Sequence, residues 1–291
     1  MYAASDGSPA WSSTHLTALP PVFAGDVVVI ASGSGVKALR AATGEPAWEV
    51  VAPASSATAL VATASAIVLV SPEEVQAWRL DGTPFWTRQI KTAPARAAAS
   101  EHAIYVSVPG PAIAALDLAS GGVLRIVPAP ASTVFVAVQA GRLLVTADNG
   151  DISAYKLTPS LSRDWRFPKI DATGAPVADS RSVYATLIDN TLYALALGNG
   201  NQRWSRQLPT RSRGGPIVSG DRVIVVLADG RLAQYRANNQ GTALPEEAPP
   251  DVSTRIISVG ADPAGLVIAA IGVPADESRQ LIAWRAAPDP R

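Results

Sequence analysis

Two histidines, His15 and His102, and one acidic turn, Asp148-Asn149-Gly150-Asp151, are the residues of this 291-residue chain best suited by type to acid-base or metal chemistry. A histidine metal site needs a second donor close in sequence or brought near by the fold, and neither histidine has a ligand-type residue two to five positions downstream. The acidic turn lacks the alternating oxygen ligands of a calcium loop and has the residue types of a hairpin turn. No Gly-x-Ser-x-Gly elbow or Gly-rich phosphate loop with its Lys occurs, and Gly198-Asn199-Gly200 is too short for a dinucleotide fingerprint. No catalytic, metal-ligating or cofactor-binding residue is therefore expected, and the protein is read as a non-enzyme. What remains is binding chemistry. Lys91 and Arg96 in RQIKTAPAR, Lys169 in FPKID, Arg211 and Arg213 in LPTRSRGGP, and Arg255 closing PEEAPPDVSTR all fall in loop-like segments.

Composition limits what those cations can meet. The chain carries 24 basic and 24 acidic residues, so no overall field draws nucleic acid or an anionic membrane, and any charged site must be local. It has no cysteine, which removes disulfides, thiolate metal sites and thiol nucleophiles together. Apolar runs such as Val27 to Ala31 and Gly265 to Val273 are far shorter than the ~20 residues that span a bilayer. The first residues, MYAASDGSPAW, show no basic segment followed by an apolar one, so no secretion signal is expected within them.

The elements that position the loops come from a repeat. Trp11, Trp48, Trp86, Trp165 and Trp204 mark a period of about 39 residues, with vacancies at Arg125 and Leu244 where the flanking pattern persists. Upstream of each position lies a β-branched run: VVVIAS from Val27, AIVLVS from Ala66, AIYVSV from Ala103, RLLVTA from Arg142, SVYATL from Ser182, RVIVVL from Arg222 and GLVIAAI from Gly265. A short turn and an alternating strand follow each: VKALR, VQAWR, AIAALD, ISAYK, LYALA, LAQYR and LIAWR. These are hairpin signals. With a short leading strand and a trailing strand at the Trp position, each unit has four strands, A to D, and helices should be few.

Radially closed four-stranded units at this period predict an all-β fold, a seven-bladed β-propeller of four-stranded antiparallel blades in a single domain over residues 1–291. The chain begins at a strand D, Ser8 to Ser13, and ends at a strand C, Gln280 to Arg285. The N-terminal strand is thus expected to complete the last blade and close the ring. The cation-bearing segments are then D-to-A connections, predicted to converge on one face. GVPADESRQ at 272–280, the longest B-to-C loop, is either a contact loop or a tolerated insertion.

Within the repeat, Ala38 to Trp48 reads ALRAATGEPAW and Ala194 to Trp204 reads ALALGNGNQRW, with Ala, Gly and Trp at positions one, seven and eleven. The Ala should leave room for an indole from a neighbouring blade, and the Gly should serve a tight turn at positive φ. These windows, and more loosely ALDLASGGVLR from Ala115, resemble the tryptophan-docking motif of pyrroloquinoline-quinone-type repeats. The resemblance implies a propeller. Quinone dehydrogenases of that family hold the cofactor with adjacent cysteines and a calcium ion, an apparatus this chain does not carry, so no cofactor is expected. Among non-enzymatic members the chain is similar to the lipoprotein scaffold of the bacterial outer-membrane barrel-assembly machinery. That likeness implies a monomeric, extracytoplasmic protein-binding scaffold acting through propeller-face loops, with no nucleic-acid partner and no membrane insertion of its own. A ligand-binding or sensor ectodomain of a larger membrane protein is the alternative, and a quinone-dependent dehydrogenase the third reading.

Overall fold

The computed structural model of the chain describes residues 11, 19–33, 35–94, 97–168, 171–247, 255–261, 268–273 and 280–284. The described residues form seven antiparallel sheets, six of four strands and one of three. The first holds β1 (Val22–Ala24), β2 (Val27–Ser32), β3 (Gly35–Arg40) and β4 (Pro46–Val51), and the second β5 (Ala59–Ala62), β6 (Ile67–Val70), β7 (Glu74–Trp78) and β8 (Pro84–Gln89). The third holds β9 (Ala98–Ala99), β10 (Ala103–Val108), β11 (Ala112–Asp117) and β12 (Val123–Pro128), and the fourth β13 (Thr133–Gln139), β14 (Arg142–Ala147), β15 (Ile152–Lys156) and β16 (Arg163–Phe167). The fifth holds β17 (Val177–Ala178), β18 (Ser182–Thr186), β19 (Thr191–Ala196) and β20 (Gln202–Gln207), and the sixth β21 (Ile217–Ser219), β22 (Arg222–Val226), β23 (Leu232–Arg236) and β24 (Ala243–Glu247). The seventh has β25 (Arg255–Ala261), β26 (Ile268–Val273) and β27 (Gln280–Trp284). In every sheet spatial order follows chain order, so each is a meander of neighbouring hairpins.

The seven B-to-C hairpins fall where the β-branched runs place them, and one 3-10 turn at Ala54–Ser56 is the sole helical element among the described residues. The N-terminal strand D, Ser8 to Ser13, lies outside the described residues apart from Trp11, as do Pro274 to Arg279 of the long last loop. By contacts the chain divides into two compact units, residues 1–148 with 155–162 and residues 149–154 with 163–291.

The B strands read as continuous apolar runs because both their faces are covered. Val27 to Ala31 and Ile67 to Val70 are all buried. In the first unit Val29 and Val36 of the first sheet pack with Ile67 and Leu69 of the second. Val68 and Val75 of the second pack with Ile104 and Leu116 of the third. In the second unit Tyr184 and Leu192 meet Val223 and Tyr235 in the same manner. Successive sheets within a unit therefore stack face to face, and burial of these Val, Ile and Leu side chains, about 1.5–3 kcal/mol each, is the main favourable term.

The eleven-residue window joins these stacks. Ala38 is the cross-strand partner of Trp48, as Ala194 is of Trp204, and a β-bulge follows the Ala in each case. Each indole rests on the Gly of the following sheet's C-to-D turn. A Cβ built on Gly44 would stand 2.6 Å from the Trp11 ring, and one on Gly200 2.6 Å from the Trp165 ring, with φ at +76° and +72°. Trp48 on Gly82, Trp86 on Gly121 and Trp204 on Gly241 repeat the contact. Each indole N–H then donates to a carbonyl of that same turn: Trp11 to Ala41, Trp48 to Leu80, Trp86 to Leu118, Trp165 to Leu197 and Trp204 to Asn238, all at 2.7–2.8 Å. Gly is thus required twice over, for its backbone angle and for the absence of a Cβ under the ring.

The third sheet breaks the rule in a compensated way. Arg125 stands where Trp stands elsewhere, paired with Ala115. In the next C-to-D turn Leu161 occupies the Gly position, its N–H bonded to Leu157 O as Gly200 N–H is to Ala196 O. Leu161 has φ +28° and is fully buried beside Val127 and Tyr155. The turn's own side chain supplies the bulk that an indole supplies over the glycine turns, at the expense of a left-handed leucine.

Candidate functional site

Of the candidate residues named from sequence, Lys91, Arg211 and Arg213 ride on D-to-A connections, and hydrogen bonds tie those connections to the B-to-C turns of the sheets beside them. In the first unit Ile90 N–H donates to Glu73 O, Thr92 N–H to Pro72 O and Thr92 Oγ1 to Ser71 O, which holds Lys91 against the B-to-C turn of the second sheet. Lys91 is exposed, with no carboxylate partner among the described residues. In the second unit Ala228 N–H donates to Arg211 O at 2.7 Å and Arg213 N–H to Val226 O at 2.9 Å, while Ser212 and Leu227 form a β-bridge. Both loop types therefore share one end of their sheet, as the propeller reading requires.

Arg211 and Arg213 are brought together, two residues apart and both exposed. The Arg213 guanidinium donates to Ala228 O at 3.0 Å, whereas the Arg211 side chain has no acceptor among the described residues. Lys91 belongs to the other unit. Arg96 and Lys169 lie outside the described residues, and Arg255 opens β25 with its side chain undescribed.

The base under Arg211 and Arg213 is stiff. Thr173 Oγ1 and Ser212 Oγ are 2.8 Å apart, and Thr186 Oγ1 donates to Gly214 O at 2.8 Å. A Cβ on Gly174 would lie 2.1 Å from Gly215 N, so the D-to-A connections of the fifth and sixth sheets touch backbone to backbone. The sequence signal for this is the matched Gly174-Ala175-Pro176 and Gly214-Gly215-Pro216. Pairing of a hydroxyl on one connection with one on the next has no one-dimensional signature.

The charge at this end is mixed. On the B-to-C turn beside Arg213, Arg231 bonds Asp229 at 2.7 Å and also Glu246. Burial pushes the Asp229 carboxyl up, but the Arg231 hydrogen bond and charge outweigh it and hold the group below the usual carboxylate range. Arg231 is consumed internally.

His15 lies outside the described residues. His102 is exposed on an A-to-B turn, beside Glu101 at the edge of an open cleft of about 730 Å³. The cleft's hydroxyls serve the turns themselves: Thr63 Oγ1 accepts from Ala66 N–H and Ser100 Oγ from Ala103 N–H. Asp148 to Asp151 form the turn between β14 and β15, with Asp151 1% exposed and ion-paired to Arg166, Nε to Oδ2 at 2.8 Å. That pair ties β16 to the turn, a structural duty absent from the sequence reading. Gly198 to Gly200 form a C-to-D turn, as read. Among the described residues no three His, Asp or Glu side chains gather to hold a metal ion. No helix among the described residues is long and apolar enough to cross a membrane.

A family model described as outer membrane protein assembly factor BamB matches residues 1–201 and 110–269. No curated protein matches the chain. Among solved structures, BamB from Moraxella catarrhalis is similar at 16% identity and TM-score 0.64, over 81% of this chain and 77% of that one. The Pan2 WD40 domain of Neurospora crassa is similar at 11% identity and TM-score 0.64, over 87% and 85%. The computationally designed protein Ika8 is similar at 13% identity and TM-score 0.58, over 91% and 95%. At these identities the likeness is one of fold, and it puts the four-stranded sheets in the β-propeller class.

Proposed function

Because the chain belongs to the family of outer membrane protein assembly factor BamB, we propose that it is a non-enzymatic, extracytoplasmic scaffold that binds protein partners through its D-to-A and B-to-C loops. The observation that carries this reading is an exposed cation in each unit, Lys91 in one and Arg211 in the other, each without a carboxylate partner among the described residues and each on a connection hydrogen-bonded to its sheets. A binding surface built on rigid elements loses little entropy on association. In this reading the seven sheets are seven blades of one domain, Ser8 to Ser13 supplies the fourth strand of the last, Arg96 and Lys169 extend the basic loop surface, and Arg255 borders it at the first residue of β25. The scaffold acts as a monomer, and its partners carry acidic surfaces that meet these loops.

The test is quantitative capture of envelope proteins on immobilised wild-type protein and on the Lys91→Glu/Arg211→Glu variant, with thermal unfolding checked to be unchanged. Retention that falls at least tenfold on charge reversal supports the reading. Equal retention refutes it. A stoichiometric shift in quinone absorbance on adding pyrroloquinoline quinone and calcium would overturn the non-enzymatic part.

A further inference from the structure

The cleft beside His102 is one of two hollows in the first unit that share a wall. The larger, about 730 Å³, lies between the A-to-B turns of the second and third sheets, and Val138 of β13 with Leu157 and Thr158 after β15 complete it. A smaller one of about 300 Å³ shares Ser65, Glu101 and His102 with it and reaches Phe85, Asp117 and Leu118. Volumes of this order suit a small molecule. The A-to-B turns stand at the other end of strand B from the B-to-C turns, and so away from Lys91.

Several polar atoms of these walls are already used. Thr63 Oγ1 accepts from Ser65 and Ala66 N–H, Ser100 Oγ accepts from His102 and Ala103 N–H, and Thr158 N–H donates to Tyr105 Oη at 3.3 Å. Ala62, Ala99, Val138 and Leu157 line the larger hollow with hydrocarbon. Left over are the Ser65 hydroxyl, the His102 imidazole and the Glu101 carboxylate, all exposed and none with a side-chain partner among the described residues.

That carboxylate is the exception among the acids of the described A-to-B turns. In the first sheet Asp26 pairs with Arg40 at 3.2 Å, in the sixth Asp221 pairs with Arg236 at 2.9 Å, and in the fifth Asp179 accepts from Tyr184 Oη at 2.8 Å. Arg40 and Arg236 end their strands C as register partners of Val27 and Arg222, the first residues of strand B, and the same register puts Asp117 opposite Ala103 in the third sheet. A carboxylate therefore stands where those two sheets carry the pairing arginine. Asp117 Oδ1 accepts from Ser120 N–H and Oγ, and its Oδ2 has no partner among the described residues. Asp117 and Glu101 line the same smaller hollow, and no Lys or Arg is among the described residues lining either one. Arg79, just past β7, is committed to Phe85, its guanidinium carbon 4.7 Å from the ring centroid.

We propose that the two joined hollows bind a small aliphatic ammonium ion, which supplies the charge that arginine supplies in the first and sixth sheets. Its head lies between Glu101 and Asp117 and donates to the Ser65 hydroxyl and the neutral His102 imidazole, and its hydrocarbon lies along Ala62, Ala99, Val138 and Leu157. A bare metal ion is the poorer occupant, because among the described residues no three His, Asp or Glu side chains gather to hold one and the site opens onto hydrocarbon. This end of the sheets is separate from the loop cations, so either site can fail while the other stands.

The experiment titrates isotopically labelled full-length protein with n-pentylammonium chloride, n-pentanol and calcium chloride at constant ionic strength and follows backbone amides by NMR. The expected result is a saturable shift centred on Ser65, Glu101, His102 and Leu118, with the ammonium at least about threefold tighter than the alcohol, the scale of one partly exposed ion pair. Glu101→Gln should remove that margin, and Glu101→Lys, which brings an ammonium of its own, should abolish binding, with the remaining amide spectrum unchanged as the folding control. No saturable shift, shifts centred on other residues, an alcohol that binds as tightly, or a margin indifferent to residue 101 would each overturn the proposal. So would calcium producing the same shifts at a lower concentration than the ammonium.

Discussion

Gly200→Ala is the sharpest probe of how successive sheets are joined. The added Cβ would stand 2.6 Å from Trp165 Cε3 and 2.7 Å from Cδ2, at a backbone φ of +72°. Two costs add. An alanine in left-handed conformation loses about 1–2 kcal/mol. Displacing an indole that is 7% exposed, and stretching its 2.7 Å bond to Leu197 O, is an overpacking change of about 1–3 kcal/mol. The single variant should therefore lose about 2–5 kcal/mol, and Trp165→Ala alone about 3–5 kcal/mol as a cavity. In the double variant the clash is gone and the backbone cost remains, so the two losses should fall short of additivity by about 1–3 kcal/mol. Urea unfolding followed by far-UV circular dichroism measures all four corners of the cycle without relying on the tryptophan signal. Additivity to within about 0.5 kcal/mol would show that Gly200 matters for its turn alone and that the indole does not rest on it.

Three further outcomes follow from other contacts. Leu161→Gly should cost about 2–4 kcal/mol in urea unfolding, as a buried leucine lost minus the strain it relieves, and adding Arg125→Trp should recover part of that loss by restoring the Trp-on-Gly pairing seen at Gly82 and Gly200. Arg166→Met should cost about 2 kcal/mol in the same assay, less than a fully buried pair because Arg166 is half exposed and Asn149 still donates to Asp151. Burial pushes the Tyr184 phenol up, and although the Ser182 contact works against this, the Asp179 carboxylate adds to it. A raised folded-state value means that the stability tied to protonated Tyr184 is complete below the ordinary tyrosine value of about 10 and is lost as pH rises above it. Tyrosinate absorbance should show this residue titrating late, and Asp179→Asn should bring it earlier.

The B-to-C hairpins were legible because each couples a doubly covered apolar run to an alternating strand across a short turn, and Val27 to Ser32 or Arg222 to Val226 need no tertiary information to be recognised. The Trp-to-Gly spacing within the window was legible too. What it could not reveal is that the ring and the glycine it covers come from different windows: Trp165 rests on Gly200, and Trp48 on Gly82. The exchange of Trp for Arg125 together with Gly for Leu161 was hidden for the same reason, since the two positions lie 36 residues apart and each looks like simple decay of the motif. Among the loop cations the sequence located Lys91, Arg211 and Arg213 on the expected connections. It did not foresee that Arg213 is partly tied to Ala228 O or that Arg231 is neutralised by Asp229 and Glu246, because those pairings depend on how the sixth sheet folds its turn toward its outer strand.

The central claim is that loop cations, held on rigid sheets, bind a protein partner. Replacing Arg211 with a photo-crosslinking residue in living cells tests it most directly, with the same residue placed at Glu101 on an A-to-B turn as the comparison. The account predicts one discrete adduct with an extracytoplasmic protein from position 211, weakened when Lys91→Glu is added, and none from position 101. No adduct at 211, or the same adducts from both positions, would contradict it.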